Sequence, residues 1–126
     1  MPHFAAVREC RSLSGPELAL IRWLLENGEP EARPFLDQLR QAKVHARCSC
    51  GCSSIDLAID GVRCSRSELH ILSDYQWRSP LGHRYGAFVF EQGGLLAGLD
   101  LWSMDGRSIP RGLPSIGELE PQETLR

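Results

Sequence analysis

The chain has 126 residues and a net charge of −2; 42% of its residues are hydrophobic and 24% are charged. This length and composition fit a single globular domain over residues 1–126 rather than a disordered chain. The charge argues against a nucleic acid or an anionic membrane surface as partner, because both attract basic proteins, and no apolar run reaches the roughly 18 residues of a membrane span. The N-terminal residues lack the pattern of an export signal and the cysteines number five, which predicts reduced thiols and a cytoplasmic location.

Two helices are predicted in the N-terminal third. Ser14 and Glu17 have the spacing of a capping box, in which each side chain bonds the backbone amide of the other residue. The apolar residues that follow recur with a helical period up to Gly28, which is expected to end the helix in a left-handed conformation. The second helix is predicted over residues 31–42, with Pro34 in its first turn, where a missing amide costs nothing.

The first helix carries a wide apolar face, which covers more than half of its circumference. One sheet needs a narrower stripe, roughly 100° wide. The excess is expected to be covered by the C-terminal segment or by a second copy of the chain. A homodimer is therefore one expected state, with Trp23 near its interface.

After the second helix the apolar period changes to two, which is typical of strands with one face in a core. Strands are predicted over residues 44–50 and 55–59, joined at a glycine-serine corner, and a third over residues 68–75. Two further β-prone runs flank Gly93-Gly94, a favoured hairpin turn. The predicted fold class is α+β, with two N-terminal helices packed on an antiparallel sheet of four to five strands.

Acidic residues on these strands are expected to form the solvent face of the sheet rather than a pair for acid–base catalysis. The sequence contains no other catalytic constellation, and an enzymatic activity is not favoured. The aspartates concerned are Asp56, Asp60, Asp74 and Asp100.

The segment RCSCGCSSIDLAIDG, residues 47–61, places Cys48, Cys50 and Cys52 at alternate positions. Three uses are open: core packing, a zinc site, or a redox or nucleophilic thiol. In an extended strand the successive sulfurs lie roughly 6–7 Å apart, too wide for one zinc ion unless the chain bends sharply at Gly51. Core packing of Cys48 and Cys50 is preferred, so no cofactor is expected and zinc is the alternative. Further candidate ligands are Cys64, His70 and His83.

Two stretches carry a resemblance: CSCGCSSIDLAIDG, and GAFVFEQGGLLAGLDLWSMDG with the LPS that follows. They resemble small uncharacterised bacterial proteins that have a C-x-C-G-C-P-S-[IV]-D block and then a hairpin ending in a G-x-L-x-x-L-E-[VI]-like strand. The resemblance covers roughly residues 47–115. Ser53 stands where proline is usual, and Asp100 where glutamate is usual. The resemblance implies a bacterial origin and a single domain, and it implies no activity.

The loop sequence DYQWRSPLGHRYG, residues 74–86, collects residue types that dominate protein-binding surfaces. The candidates are Trp77, Arg78, His83, Arg84 and Tyr85. The alternative is that Trp77 and Tyr85 fold back over the sheet while the arginines stay in solvent. The leading functional hypothesis is a cytoplasmic protein-binding module of immunity or accessory type; the alternatives are a zinc-binding module and, less favoured, a cysteine-dependent enzyme.

Overall fold

The chain folds as an α+β domain in the computed structural model, which describes residues 6–63, 68–106, 108–110 and 112–122. Cys64 lies outside the described residues. One strand precedes the helical region, and the remaining strands follow that region. In order, the elements are β1 Ala6–Ser12, α1 Gly15–Glu26, a 3-10 helix Pro30–Phe35, α2 Leu36–Leu39, β2 Ala42–Cys48, β3 Ile55–Ile59, β4 Val62–Arg63, β5 His70–Arg78, β6 Arg84–Gln92, β7 Leu95–Ser103, a 3-10 helix Ile116–Glu118 and β8 Glu120–Pro121.

The strands form one antiparallel sheet of eight strands, in the order β1-β2-β3-β7-β6-β5-β8, and β4 pairs with β3 outside this path. The prediction of an antiparallel α+β fold is confirmed, but the number of strands is wrong. The three strands that were not predicted are β1, β4 and β8. Two of them have only two residues each, and β1 has polar residues at most positions, so none shows an apolar period.

The second predicted helix is also wrong in its extent. Residues 30–35 form a 3-10 helix, α2 adds a single turn, and the strand β2 already begins at Ala42. Pro34 lies inside the 3-10 helix and has no amide to donate to the carbonyl of Pro30. An α-helical hydrogen bond is therefore missing where the longer helix would need one.

The helix α1 begins as predicted. The Ser14 hydroxyl accepts a hydrogen bond from the Glu17 amide at 3.2 Å, and the Glu17 carboxylate accepts one from the Ser14 amide at 2.8 Å. Arg11 on β1 adds two hydrogen bonds to the same carboxylate, at 2.8 and 2.9 Å. These bonds tie the first strand to the start of α1, and the Arg11 guanidinium holds the pKa of Glu17 below its usual range, against a smaller opposing effect of burial.

The core lies mainly between α1 and one face of the sheet. From α1 it takes the buried residues Leu20, Ile21, Leu24 and Leu25. A smaller second cluster on the opposite face contains Phe88, Phe90 and Ala97. Ala97 joins the phenylalanines because the register between β6 and β7 shifts after Phe90, so that Ala97 has no partner of its own on β6. The hairpin itself turns at Gly93 and Gly94 as predicted, both with positive φ.

Candidate functional site

The cysteines at residues 48–52 lie on a sharp turn. The strand β2 ends at Cys48, and Gly51 has a φ of +96°, a conformation that L-residues with side chains rarely adopt. Two backbone hydrogen bonds hold the turn: the Cys48 amide donates to the Ser54 carbonyl at 3.3 Å, and the Ser53 amide donates to the Pro110 carbonyl at 3.1 Å. The second bond fastens the turn to the C-terminal segment. We call this turn the cysteine corner.

The bend brings three sulfurs together. The Sγ atoms of Cys48, Cys50 and Cys52 all lie within 4.8 Å of one another, and those of Cys48 and Cys50 are 2.8 Å apart. The 6–7 Å spacing expected for an extended strand is therefore wrong here, because the strand ends at Cys48 and the chain bends at Gly51. All of the described cysteines are free thiols: Cys10, Cys48, Cys50 and Cys52.

The three thiols differ in their access to solvent. Cys48 is buried with 2% of its surface exposed, Cys50 is exposed, and Cys52 is intermediate. The interpretation of Cys50 as a small core side chain is therefore wrong, while that of Cys48 is confirmed. A second set of contacts orients the sulfurs: the Cys50 amide donates to the Cys48 sulfur, and the Cys52 amide donates to the Cys50 sulfur, each at 3.4 Å.

The pKa values of Cys48 and Cys50 are shifted in opposite directions. Burial, followed by the hydrogen bond to Cys50, raises the pKa of Cys48 to about 12. Burial alone also raises the pKa of Cys50, but the bonds that its sulfur accepts from the Cys48 thiol and the Cys52 amide outweigh it, so the pKa of Cys50 is lowered. Cys50 is thus more acidic than Cys48, and the buried Cys48 thiol donates a hydrogen bond to the Cys50 sulfur.

Three converging sulfurs are a plausible ligand set for one soft metal ion. Four sulfurs arranged tetrahedrally around zinc at about 2.3 Å lie about 3.8 Å from one another. The three sulfurs here lie within 4.8 Å of one another, which is close to that spacing. The group could hold a metal ion, and within the described part of the chain it contains cysteines alone.

The other predicted metal ligands lie elsewhere or cannot be placed. His70 has Nδ1 3.1 Å from a carboxylate oxygen of Glu91, and His83 has Nδ1 3.0 Å from one of Asp105. Each imidazole is thus engaged by an acidic side chain outside the cysteine corner. Cys64 lies outside the described residues. Arg47, next to the corner in sequence, pairs with Glu9 at 3.4 Å.

The aromatic side chains of the β5–β6 hairpin face inward. Trp77 and Tyr85 are 7% and 8% exposed, and their rings pack with centroids 5.2 Å apart. Arg78 and Arg84 are exposed, whereas His83 is intermediate. The predicted candidates therefore separate into an aromatic pair that belongs to the core and a polar set at the surface.

Leu81, which the sequence reading missed, is the most exposed of the large apolar residues described, at 86%. It lies in the hairpin tip, residues 79–82, between Arg78 and Arg84. The tip is ordered by three hydrogen bonds: Ser79 amide to His83 carbonyl, Gly82 amide to Ser79 carbonyl, and His83 amide to Ser79 hydroxyl. A leucine between proline and glycine in a turn was the available signal, because turn residues point into solvent.

Trp23, the remaining candidate, packs within its own chain. Its ring meets that of Tyr75 edge-on, with centroids 4.8 Å apart, and it is only partly buried. The Tyr75 hydroxyl in turn donates to the carbonyl of Asn27 at the end of α1. Trp23 therefore lies on the seam between α1 and β5, and the homodimer in which it would take part stays a prediction.

Of the aspartates predicted on the solvent face, Asp100 is buried instead. It is only 5% exposed, and its Oδ1 accepts a hydrogen bond from the buried Ser54 hydroxyl at 2.9 Å. Burial raises the pKa of Asp100, opposed by the Ser54 bond and reinforced by the charge of Asp56. The expectation of a solvent position is wrong because Asp100 lies opposite Phe88 in the register of β6 and β7, and Phe88 belongs to the second buried cluster.

Comparisons with models of protein families, with curated proteins and with solved structures give no match to this chain. Among the residues that the structure describes, no helix has both the length and the apolar character needed to cross a membrane.

Proposed function

We propose that the protein binds a soft metal ion, zinc foremost, through Cys48, Cys50 and Cys52. The observation that carries this proposal is the convergence of the three sulfurs within 4.8 Å on one turn. Thiolates prefer zinc and copper(I) over hard cations such as magnesium. Reduced thiols are required for binding, and a cytoplasm supplies the conditions that keep them reduced.

The exposure of the thiols supports a metal site over simple packing. A cysteine that only fills a core is buried, as Cys48 is, yet Cys50 is exposed and Cys52 is partly so. Free thiols at a surface are open to oxidation, and a bound metal would protect them. The turn is also fastened at both sides by backbone hydrogen bonds, which keeps the ligands together before a metal arrives.

The test is metal analysis of protein purified under reducing conditions without chelator, followed by titration of the metal-free protein with cobalt(II). We expect one metal ion per chain and the absorption of thiolate-to-cobalt charge transfer. Cys50→Ser and Cys52→Ser should each weaken binding by at least about tenfold, because each removes one ligand.

The matched control is Cys10→Ser, which removes an exposed thiol of β1 outside the converging group. It should bind metal like the unchanged protein. Equal binding by the Cys10, Cys50 and Cys52 variants, or no charge-transfer absorption in the unchanged protein, would reject the metal site.

We propose, as a second function, that the hairpin tip binds another protein, in an immunity-type or accessory role. Leu81 supports this, because a large apolar side chain that is 86% exposed on an ordered turn is presented where a partner's pocket can receive it. The exposed Arg78 and Arg84 on either side favour a partner with an apolar pocket bordered by carboxylates.

The matching experiment places a photo-crosslinking amino acid at position 81 in living cells, and compares it with one at position 62. Val62 is also an exposed apolar residue, but it lies on the short strand β4. We expect one discrete cross-linked product from position 81 that Arg84→Glu diminishes. Products of the same size and yield from both positions would contradict a specific site at the tip.

A further inference from the structure

The cysteine corner contains a pair of sulfurs closer together than metal binding requires. Cys48 and Cys50 have their Sγ atoms 2.8 Å apart, whereas sulfurs that share a tetrahedral zinc ion lie about 3.8 Å apart. A disulfide bond of about 2.05 Å is therefore reached from this arrangement by a movement of less than about 1 Å. The metal-free corner is thus prepared for a reaction between its own thiols.

Cys50 and Cys48 differ in their exposure to solvent, as a two-step exchange requires. Cys50 is exposed, so a dissolved disulfide can reach its sulfur, while Cys48 is buried directly behind it. An incoming molecule therefore meets Cys50 first, and Cys48 is then the nearest thiol that can displace it. Cys52 lies within 4.8 Å of both sulfurs and is the competing thiol.

We infer that the metal-free protein carries out thiol–disulfide exchange, with Cys50 as the attacking thiol and Cys48 as the resolving thiol, on disulfides of small thiols. This goes beyond the proposed metal site and does not depend on it, because the reaction uses the chain without metal. The substrate class is the oxidised form of a low-molecular-weight thiol, such as glutathione disulfide. Its small size suits an exposed thiol on a turn.

The reaction balances in two steps. The Cys50 thiolate attacks one sulfur of the substrate disulfide, which forms a mixed disulfide on Cys50 and releases one substrate thiolate. The Cys48 sulfur then attacks Sγ of Cys50, which forms the Cys48–Cys50 disulfide and releases the second substrate thiolate. The protons of the two cysteines pass to the two released thiolates. The two protein thiols are oxidised, and the substrate disulfide is reduced to two thiols.

The test uses the full chain with Cys10 and Cys64 replaced by serine, reduced and freed of metal by chelator, and then exposed to glutathione disulfide. Samples are quenched with acid, alkylated and mapped by fragment mass spectrometry. We expect Cys48 and Cys50 to escape alkylation while Cys52 is alkylated. In the double variant Cys48→Ala, Cys52→Ser, which removes both neighbouring thiols, the reaction should stop at a glutathione adduct on Cys50. In Cys50→Ser the initial rate should fall at least about tenfold.

The matched control keeps Cys10 in place, an exposed thiol outside the corner, and should form the Cys48–Cys50 disulfide at an unchanged rate. A disulfide that includes Cys52, an adduct first formed on Cys52, or full alkylation of all three cysteines would overturn the inference. The alkylation pattern needs no substitution within the corner, so it decides the question even if Cys48→Ala fails to fold. Loss of metal binding in the cobalt titration would leave this result unaffected, which keeps the two proposals separable.

Discussion

At the scale of single residues, Asp100 is an ionisable side chain that is buried on β7. Its Oδ1 has the Ser54 hydroxyl as donor, but its Oδ2 has no hydrogen-bond partner among the described residues. The Ser54 hydroxyl oxygen also accepts a hydrogen bond from the Leu101 amide at 2.8 Å. The carboxylate is therefore half-satisfied in a buried position, which is costly while it is charged.

The pH dependence of stability follows from this burial. Burial raises the pKa of Asp100 in the folded state, so the charged form is less stable in the folded chain than in the unfolded chain. The destabilisation sets in as pH rises above the unfolded pKa and is complete above the folded pKa. Asp100→Asn removes the charge and keeps an oxygen that accepts from Ser54. We expect it to raise the free energy of unfolding at pH 7 by about 1 kcal/mol, with a gain that shrinks toward pH 3.

Urea denaturation at the two pH values measures this difference. Asp37→Asn, at an exposed position of α2, is the control and should change the free energy of unfolding by less than about 0.5 kcal/mol at pH 7. A destabilised Asp100→Asn at pH 7 would show that the charge itself is needed there.

At the scale of elements, the glycine that follows α1, Gly28, is required by close packing against β5 rather than by a left-handed conformation. Gly28 was predicted to take a left-handed conformation after the helix, but it is not among the described residues with positive φ. It is required for a different reason. A Cβ at this position would lie 2.7 Å from the Cβ of Ser73 on β5, and the Glu29 amide bonds the Leu72 carbonyl at 2.9 Å beside it.

Gly28→Ala should therefore destabilise the protein through overpacking rather than through backbone strain. The added methyl group meets the main chain of β5, which cannot rotate away, and we expect a loss of about 1–3 kcal/mol in the free energy of unfolding. Thermal and urea denaturation measure it. Gly15→Ala at the start of α1 is the matched control, because its Cβ would meet nothing within 4 Å. Equal stability of the two variants would mean that the helix end and β5 are less tightly packed than described.

The sequence predicted correctly those elements whose conformation is set by a few neighbouring residues. The capping box at Ser14 and the paired glycines of the β6–β7 hairpin each set their own backbone conformation, and both are confirmed. The strand β1 could not be predicted in this way. Its residues AVRECRS become a strand by pairing with β2 across a bulge at Cys10, where φ is +51°, and that pairing depends on residues more than 30 positions away.

The candidate site was predictable in its residues and not in its geometry. The alternation of cysteines identified Cys48, Cys50 and Cys52 as the candidate residues. The argument that their sulfurs lie too far apart assumed that the strand continues through Cys52, whereas β2 ends at Cys48. Whether it continues depends on the positive φ of Gly51 and on the hydrogen bond from Ser53 to Pro110, nearly 60 positions away. Long-range contacts of this kind leave no periodic mark in the sequence.

At the scale of the whole molecule, residues from several parts of the chain pack against the core to which α1 contributes its buried face. Leu113 and Leu119 of the C-terminal segment pack against the core cluster that contains the buried face of α1, and so do Phe35 and Leu36 of the helical segment. On α1 itself, Leu18 and Trp23 are partly buried against that cluster. The C-terminal segment thus contributes to the core that α1 faces, which favours coverage by the chain itself over coverage by a second copy.

The distribution of the remaining exposed apolar residues favours the same conclusion. Large apolar side chains exposed in the described parts of the chain belong to separate elements or loops, and stable dimer interfaces need a contiguous apolar patch of several hundred Å². They are Val62, Ile71, Leu81, Ile109 and Ile116. We expect the reduced protein to be a monomer, with a mass near 14.1 kDa by light scattering at all accessible concentrations.

The variant Trp23→Ala distinguishes a monomer from the homodimer in the same light-scattering measurement. Trp23→Ala removes the ring that the dimer would bury, and in a monomer it should lower stability through the lost contact with Tyr75 without changing the measured mass. A mass near twice 14.1 kDa in the unchanged protein, reduced to the single value by Trp23→Ala, would instead establish the homodimer with Trp23 at its interface. The reducing agent is essential to the design, because Cys10 and Cys50 are both exposed and an intermolecular disulfide would imitate association.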